Sequence, residues 1–117
     1  MRIKYIVPFA LSEKGIEKRN ALIPRALLAH DTQIDCVAVR NHPADGASYY
    51  EASIFDMYIT EAGLRSEDEG YDAIIMDTTS DSGLYTLRSR LSLPVIGPGL
   101  VAFAIATILG KKFSVIC

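Results

Sequence analysis

Thr78, Thr79 and Ser80 follow directly on the apolar run Ile74-Ile75-Met76, with Asp77 before them and Asp81-Ser82-Gly83 behind. Neighbouring hydroxyls offer hydrogen bonds to a carboxylate or an amide without bringing charge of their own. An apolar run rich in β-branched residues reads as a strand covered on both faces. The polar cluster then lies where the backbone leaves the sheet and enters a helix. In open α/β sheets ligands bind at that edge, outside the carboxyl ends of the strands. One hydroxyl is expected to cap the next helix while the others face the crevice. Asp77 and Asp81 are the acids beside this loop. An Asp after a buried strand is read first as a partner for backbone donors and only second as a general base.

Other reactive side chains are scattered. Cys36 and Cys117 each lie in an apolar, strand-like run, and His30 and His42 stand apart from them. This spacing gives no zinc motif and no disulfide framework, so no metal site is expected. Cys36 is read as a core residue, not as a nucleophile.

The elements that would position the hydroxyl loop alternate. Arg2 to Phe9 reads as a first strand, with Pro8 ending its pairing. Ser12 is an expected N-cap for a helix whose Ile16, Leu22 or Ile23, and Leu27 would face the sheet, and Pro24 should kink or divide it. Thr32 to Arg40 reads as a second strand, and Asn41 to Ser48 as a loop rich in turn residues. Tyr49 to Glu69 reads as a long helix that buries Ala52, Ile54 or Phe55, Met57 or Tyr58, Ala62 and Leu64. Gly70 would end it, with the acidic run Glu67 to Glu69 as a solvated face. Tyr71 to Asp77 is the third strand, Ser82 to Leu91 a short helix, and Pro94 to Gly97 a fourth strand. Gly97-Pro98-Gly99 turns into a helix over Leu100 to Leu109, and Lys112 to Cys117 reads as a fifth strand. The alternation predicts a three-layer α/β/α fold around a mostly parallel sheet.

In such a sheet four strand ends share one edge. They deliver Pro8 and Phe9, the loop up to Tyr49 and Tyr50, the residues Thr78, Thr79 and Ser80, and Gly97, Pro98 and Gly99. Hydroxyls and free amides at helix N-termini would make a carboxylate cradle, and Phe9, Tyr49 and Tyr50 an apolar wall. That inventory suits a small carboxylic acid or a cyclic amide. It does not suit a nucleotide, because neither a glycine-rich dinucleotide fingerprint nor a P-loop lysine is present.

Global properties narrow the classes further. The chain has 117 residues, 50% of them hydrophobic, and a formal net charge of -2. That length supports one domain, or one domain and the beginning of another, and can bury roughly two thirds of the unfolded surface. The balance of charge leaves no footprint for nucleic acid. No apolar run is long enough to span a bilayer, and the N-terminal apolar stretch breaks at Pro8 without a signal cleavage site, so a cytoplasmic location is the default expectation.

Several segments resemble the aspartate/glutamate/hydantoin racemase superfamily. They are M-R-I-K-Y-I-V-P at the start, E-A-G-L-R and E-G-Y-D-A-I-I-M-D-T-T-S-D-S-G-L in the middle, and R-L-S-L-P-V-I-G-P-G with F-S-V-I after it. The resemblance covers nearly the whole chain but only the first half of a family member. It implies residues 1–110 as an N-terminal α/β domain, one half of a pseudo-two-fold fold. Residues 111–117 would be the first strand of a second domain, or an edge strand. Family members place the active site between two similar domains. Two cysteine thiols flank the substrate α-carbon, and no metal or pyridoxal phosphate is used. One thiolate removes the α-proton and the other thiol returns one to the opposite face.

Thr78 occupies the position of the family's first cysteine. A threonine hydroxyl is too weak an acid to replace a thiolate as base. Val7-Pro8-Phe9 likewise replaces the N-P-N turn of hydantoin racemases. Arylmalonate decarboxylases of the same superfamily resemble the chain here, with a V-P turn and a T-S pair that binds a carboxylate. Maleate isomerases share the V-P turn but retain a cysteine in this loop. The resemblance therefore implies substrate-binding roles for Thr78 and Thr79. The second-half cysteine would lie beyond residue 117, and Cys117 is not its counterpart. The expected activity is α-carbon proton transfer by a racemase or isomerase, or decarboxylation. The site would be completed by a second half-domain or a homo-oligomer, since the two halves are pseudo-symmetric. A carboxylate-binding module without catalysis, or an inactive fragment, are the remaining readings.

Overall fold

The computed structural model describes residues 1–116. Its sheet has four parallel strands in the order β2-β1-β3-β4. These are β1 (Arg2–Val7), β2 (Gln33–Ala38), β3 (Ala73–Met76) and β4 (Val95–Ile96). The helices are α1 (Glu13–Ala21), α2 (Tyr49–Gly63), α3 (Leu84–Arg88) and α4 (Pro98–Leu109). The chain first steps from β1 to β2, then reverses direction and crosses β1 to reach β3. The reversal puts a topological switch point between the carboxyl ends of β1 and β3, where an open parallel sheet leaves a crevice.

Strand alternation divides the core by face. Ile6, Ile74, Met76 and Val95 point to the side covered by α2 and α3, where Ile59, Leu84 and Leu87 complete a cluster. Ile3, Ile34 and Ala73 point to the other side and pack with Tyr5, Ile23, Leu28 and Ile75. Helices thus lie on both faces, as the alternation predicts. Lys4 is buried on the first face because its ammonium finds the Ala62 carbonyl at 2.7 Å, near the end of α2, and the Glu69 carboxylate at 2.6 Å.

Several boundaries differ from the sequence reading. Pro24 divides the first helical segment: α1 ends at Ala21 and a single 3₁₀ turn, Arg25–Leu27, follows. The break rotates the chain, so Ile23 and Leu28 reach the core while Leu22 and Leu27 are exposed. Helix α2 stops at Gly63, not at Glu69, and turns occupy 64–70. Its buried residues are Ile59 and Gly63, whereas Met57 and Leu64 are exposed. Gly63 faces Leu87 so closely that a Cβ would meet it at 2.8 Å. The early stop frees the acidic run for distant partners. Glu69 pairs with Lys4, and Glu67 accepts from the Ser92 and Leu93 amides. Gly70 is left-handed, φ 77°, but closes this turn and not the helix.

Helix α4 begins at Pro98, earlier than expected, with proline in its first turn where no donor is lost. Leu100, Val101, Phe103, Ile105, Ile108 and Leu109 are all exposed, and Gly99 is its buried residue. Lys112 to Cys117 were expected as a fifth strand. Residues 112–116 instead join no strand, because β4 pairs with β3 alone among the described residues. Cys117 lies outside the described residues.

Candidate functional site

The hydroxyl loop leaves β3 at the switch point and holds itself in shape. Thr78 Oγ1 lies 2.7 Å from Ser80 Oγ, and Ser80 Oγ lies 3.1 Å from Ser82 Oγ. The Ser80 amide also donates to Thr78 Oγ1 at 3.3 Å. Three hydroxyls joined by two hydrogen bonds use two of their three protons. One proton is left to donate to a ligand. None of the three caps a helix: the N-cap of α3 is Gly83, whose amide donates to Asp56 of α2 at 2.9 Å. Gly83 is left-handed, φ 76°, and a Cβ there would meet Ile59 at 2.9 Å.

Thr78, Ser80 and Ser82 line one side of a cavity of about 330 Å³. Pro8 and Phe9, from the turn after β1, line another side, as expected. The remaining wall comes from the β2–α2 loop and the inner face of α2, through His42 to Gly46, Ala52 and Phe55. Phe9 stands edge-on to His42 at 5.5 Å and to Phe55 at 5.9 Å between ring centroids. Such T-shaped pairs are a favoured aromatic geometry. His42 Nδ1 accepts the Ala10 amide at 3.1 Å. In the neutral ring the proton therefore sits on Nε2.

Tyr49 and Tyr50 do not form the expected wall. They are 94% and 72% exposed on the outer side of the first turn of α2. A capping box between Ser48 and Glu51 fixes that turn, so residues one turn later, Ala52 and Phe55, face inward. Thr79 also points away from this cavity. It lines an adjoining recess with Pro8, Phe9, Thr78 and Pro98, floored by Tyr5, Arg19 and Asp77.

Among the described residues no backbone amide donates to the Asp77 side chain. Its carboxylate accepts the Tyr5 hydroxyl at 2.7 Å and pairs with the Arg19 guanidinium of α1. Burial pushes the Tyr5 phenol up, and its hydrogen bond to Asp77 pushes it further. Cys36, the neighbour of Tyr5 across the sheet, is held above its ordinary value by burial and then by the Asp77 charge. Both effects keep these groups neutral, which fits Cys36 as a packing residue and not a thiolate base.

The helix N-terminus expected as a cradle at Gly97, Pro98 and Gly99 is already occupied: Pro98 has no amide to offer and the Gly99 amide is taken. Asp81 accepts the Gly99 amide at 2.9 Å and the Leu100 amide at 2.6 Å. It does so from a left-handed backbone, φ 54°. A Cβ at Gly97 would lie 2.6 Å from the Asp81 carboxyl carbon. A Cβ at Gly99 would overlap the Thr79 carbonyl oxygen. The three residues therefore lock α4 against the hydroxyl loop, although Pro98 also lines the recess.

His42, Phe55 and Ser82 were not singled out from the sequence as site residues. A histidine before proline in a loop leaving a strand end was the available signal for His42. Phe55 was read as core. Among the described residues no cluster of three metal-ligating side chains occurs. Nor is any helix among the described residues long and apolar enough to cross a membrane.

Comparison with known proteins agrees with this architecture. The chain is 33% identical over 119 residues to hydantoin racemase of Pseudomonas sp. strain NS671, covering 99% of this chain and 46% of the relative. It superimposes on allantoin racemase from Klebsiella pneumoniae with a TM-score of 0.77 at 24% identity, over 92% of this chain and 43% of that one. The chain thus spans about half the length of the proteins it matches. The pattern of the family described as Asp/Glu/Hydantoin racemase runs over residues 12–117, and with the shared parallel sheet this places the chain in that family.

Proposed function

We propose that this chain supplies the substrate cradle of a cofactor-independent racemase or isomerase. Its substrate would be a small carboxylic acid, an amino acid or a cyclic amide such as a hydantoin, and the reaction a proton transfer at the α-carbon. The observation that carries this reading is the Thr78-Ser80-Ser82 hydroxyl chain, with a proton to spare, in a cavity at the switch point. A donor there would hydrogen-bond a substrate carboxylate or imide oxygen as negative charge develops on it. Thr78, Ser80, Pro8 and Phe9 contact substrate in this reading, while Thr79 and Pro98 flank it. Thr78 binds and does not act as base, because its hydroxyl is far too weak an acid. The proton-transferring thiol would come from a second half. The apolar, exposed face of α4 supports a partner half-domain or a second copy at that side.

One observation favours a second reading. With Thr78 where the resemblance places the family's first cysteine, this loop would bring no thiol to the site. Decarboxylation followed by one-sided protonation needs only one proton donor, whereas two-base racemisation needs two groups. The test uses the complete natural polypeptide, whose intact mass is measured first. Exchange of the α-proton of a 5-substituted hydantoin in D₂O supports the racemase. Release of CO₂ from a disubstituted malonate supports the decarboxylase. Binding of either compound with no turnover leaves a carboxylate-binding module, and binding of neither overturns the cradle.

A further inference from the structure

His42 is held more firmly than a surface loop requires. Its backbone amide donates to Asn41 Oδ1 at 2.9 Å, and Asn41 Nδ2 donates in turn to the Tyr58 hydroxyl of α2 at 3.4 Å. Pro43 restricts the residue before it to extended backbone. The half-buried ring stands edge-on to Phe9, with 5.5 Å between centroids, and its Nδ1 accepts the Ala10 amide at 3.1 Å. Backbone and side chain are thus both pinned, and one donor is left over. In the neutral ring that donor is Nε2–H, on the edge away from Ala10, and no acceptor among the described residues takes it. The ring lines the same cavity as Thr78, Ser80 and Ser82.

A second donor has work to do there. The hydroxyl chain has one proton to give. A carboxylate, or the enolate left when an α-proton departs, offers several lone pairs on oxygen. Resting on the proposed cradle, we infer that His42 is a catalytic residue whose Nε2–H is the second donor to the substrate oxygen on which negative charge develops. A neutral imidazole polarises a carbonyl without a full cation that would hold the ground-state substrate as tightly as the transition state. Its fixed ring needs no reorganisation at the moment of reaction. The two donors come from the loops after β3 and β2, the strands that flank β1, and so line the cavity from either side of the Pro8-Phe9 turn.

The test uses the complete natural polypeptide with 5-methylhydantoin as probe. His42→Phe keeps a ring edge against Phe9 and removes the donor. It should slow enzymatic exchange of the probe's α-proton in D₂O about 100-fold, while calorimetric affinity for the probe falls less than about tenfold. His42→Gln, whose amide can accept from Ala10 and donate to a ligand, should recover most of the rate. Nitrogen NMR of the unaltered protein reads the same donor without turnover, and without relying on a variant that folds. The His42 proton should sit on Nε2, and that signal should shift when the probe is added. A His42→Phe variant that exchanges within about twofold of the parent overturns the inference and spares the cradle, provided the probe still binds. So does a proton found on Nδ1, or an Nε2–H signal that ignores the probe. Binding without exchange by the unaltered protein overturns the catalytic role of His42 together with the racemase reading. Failure of the probe to bind overturns the cradle and this inference together.

Discussion

The two sides of the sheet's carboxyl edge started with the same promise and ended differently. Both offered polar groups to a ligand: hydroxyls after β3, and helix amides after β4. The hydroxyls remain open to a cavity, with one proton uncommitted. The amides of Gly99 and Leu100 are consumed by Asp81. Ser12 caps α1, and the Ser48–Glu51 box closes α2 in the same way. A helix N-terminus attracts anions because its first amides lack partners and its dipole is positive there. It can serve a ligand only if no carboxylate of its own chain reaches it first. Here one does, and the same carboxylate ties α4 to the hydroxyl loop.

The largest test of this contrast is steric. Gly99→Ala should destabilise the chain by about 3 kcal/mol, since the new Cβ meets backbone at Thr79 and not a flexible side-chain end. Chemical denaturation measures it, and a change under about 1 kcal/mol would mean that the lock is loose. Asp81→Ala should cost about 1–2 kcal/mol by uncapping α4. The freed amides should then bind sulfate more tightly than the parent does, which titration with sulfate reads directly. No gain would break the idea that Asp81 occupies an anion site.

On the open side, Thr78→Ala should leave the denaturation midpoint nearly unchanged. It should weaken binding of a carboxylate or hydantoin ligand about five- to tenfold, the worth of one hydrogen bond of about 1 kcal/mol. Thr78→Ser should restore most of it. Unchanged affinity in the alanine variant would remove Thr78 from the site.

The amino edge of the sheet sharpens the comparison, because its charges are structural. Burial raises the Asp35 carboxyl, but hydrogen bonds from Gln33, Arg2 and Tyr71 outweigh burial and hold it below its ordinary value. A lowered folded value means that its stabilisation is present above about pH 4 and is lost as pH falls through the lower folded value. Asp35→Asn should flatten the acid limb of stability measured between about pH 5 and pH 2, without touching ligand affinity. The smallest effect belongs to Tyr49→Ala. At 94% exposure its removal should shift stability by less than about 0.5 kcal/mol and leave ligand binding as it was.

Much of this was legible in the residues. Apolar runs at Ile3 to Val7, Ile34 to Val39 and Ala73 to Met76 specify strands by local pattern, and Ser12, Ser48 and Pro24 mark helix starts and a break through local backbone chemistry. A hydroxyl cluster after a buried strand was legible as a strand end for the same reason. These features depend on neighbours within a few positions, so a linear reading reaches them. The chain alone also carried the family resemblance, in the order of its segments.

Tertiary structure decided what depends on distant partners. Glu67 and Glu69 stay exposed, as read, but turns after Gly63 also carry them to Ser92 and Lys4. Asp77 meets Tyr5 and Arg19, and Asp81 meets Gly99, across 72, 58 and 18 residues of chain. Those pairings determine which polar groups are spent and which stay open. His42 and Phe55 join Phe9 only because β2 and α2 fold back over the switch point. Side-chain type and spacing set the menu of groups at the edge. Packing set which of them face the cavity, since a polar group is available to a ligand only after every partner within the fold has taken its share.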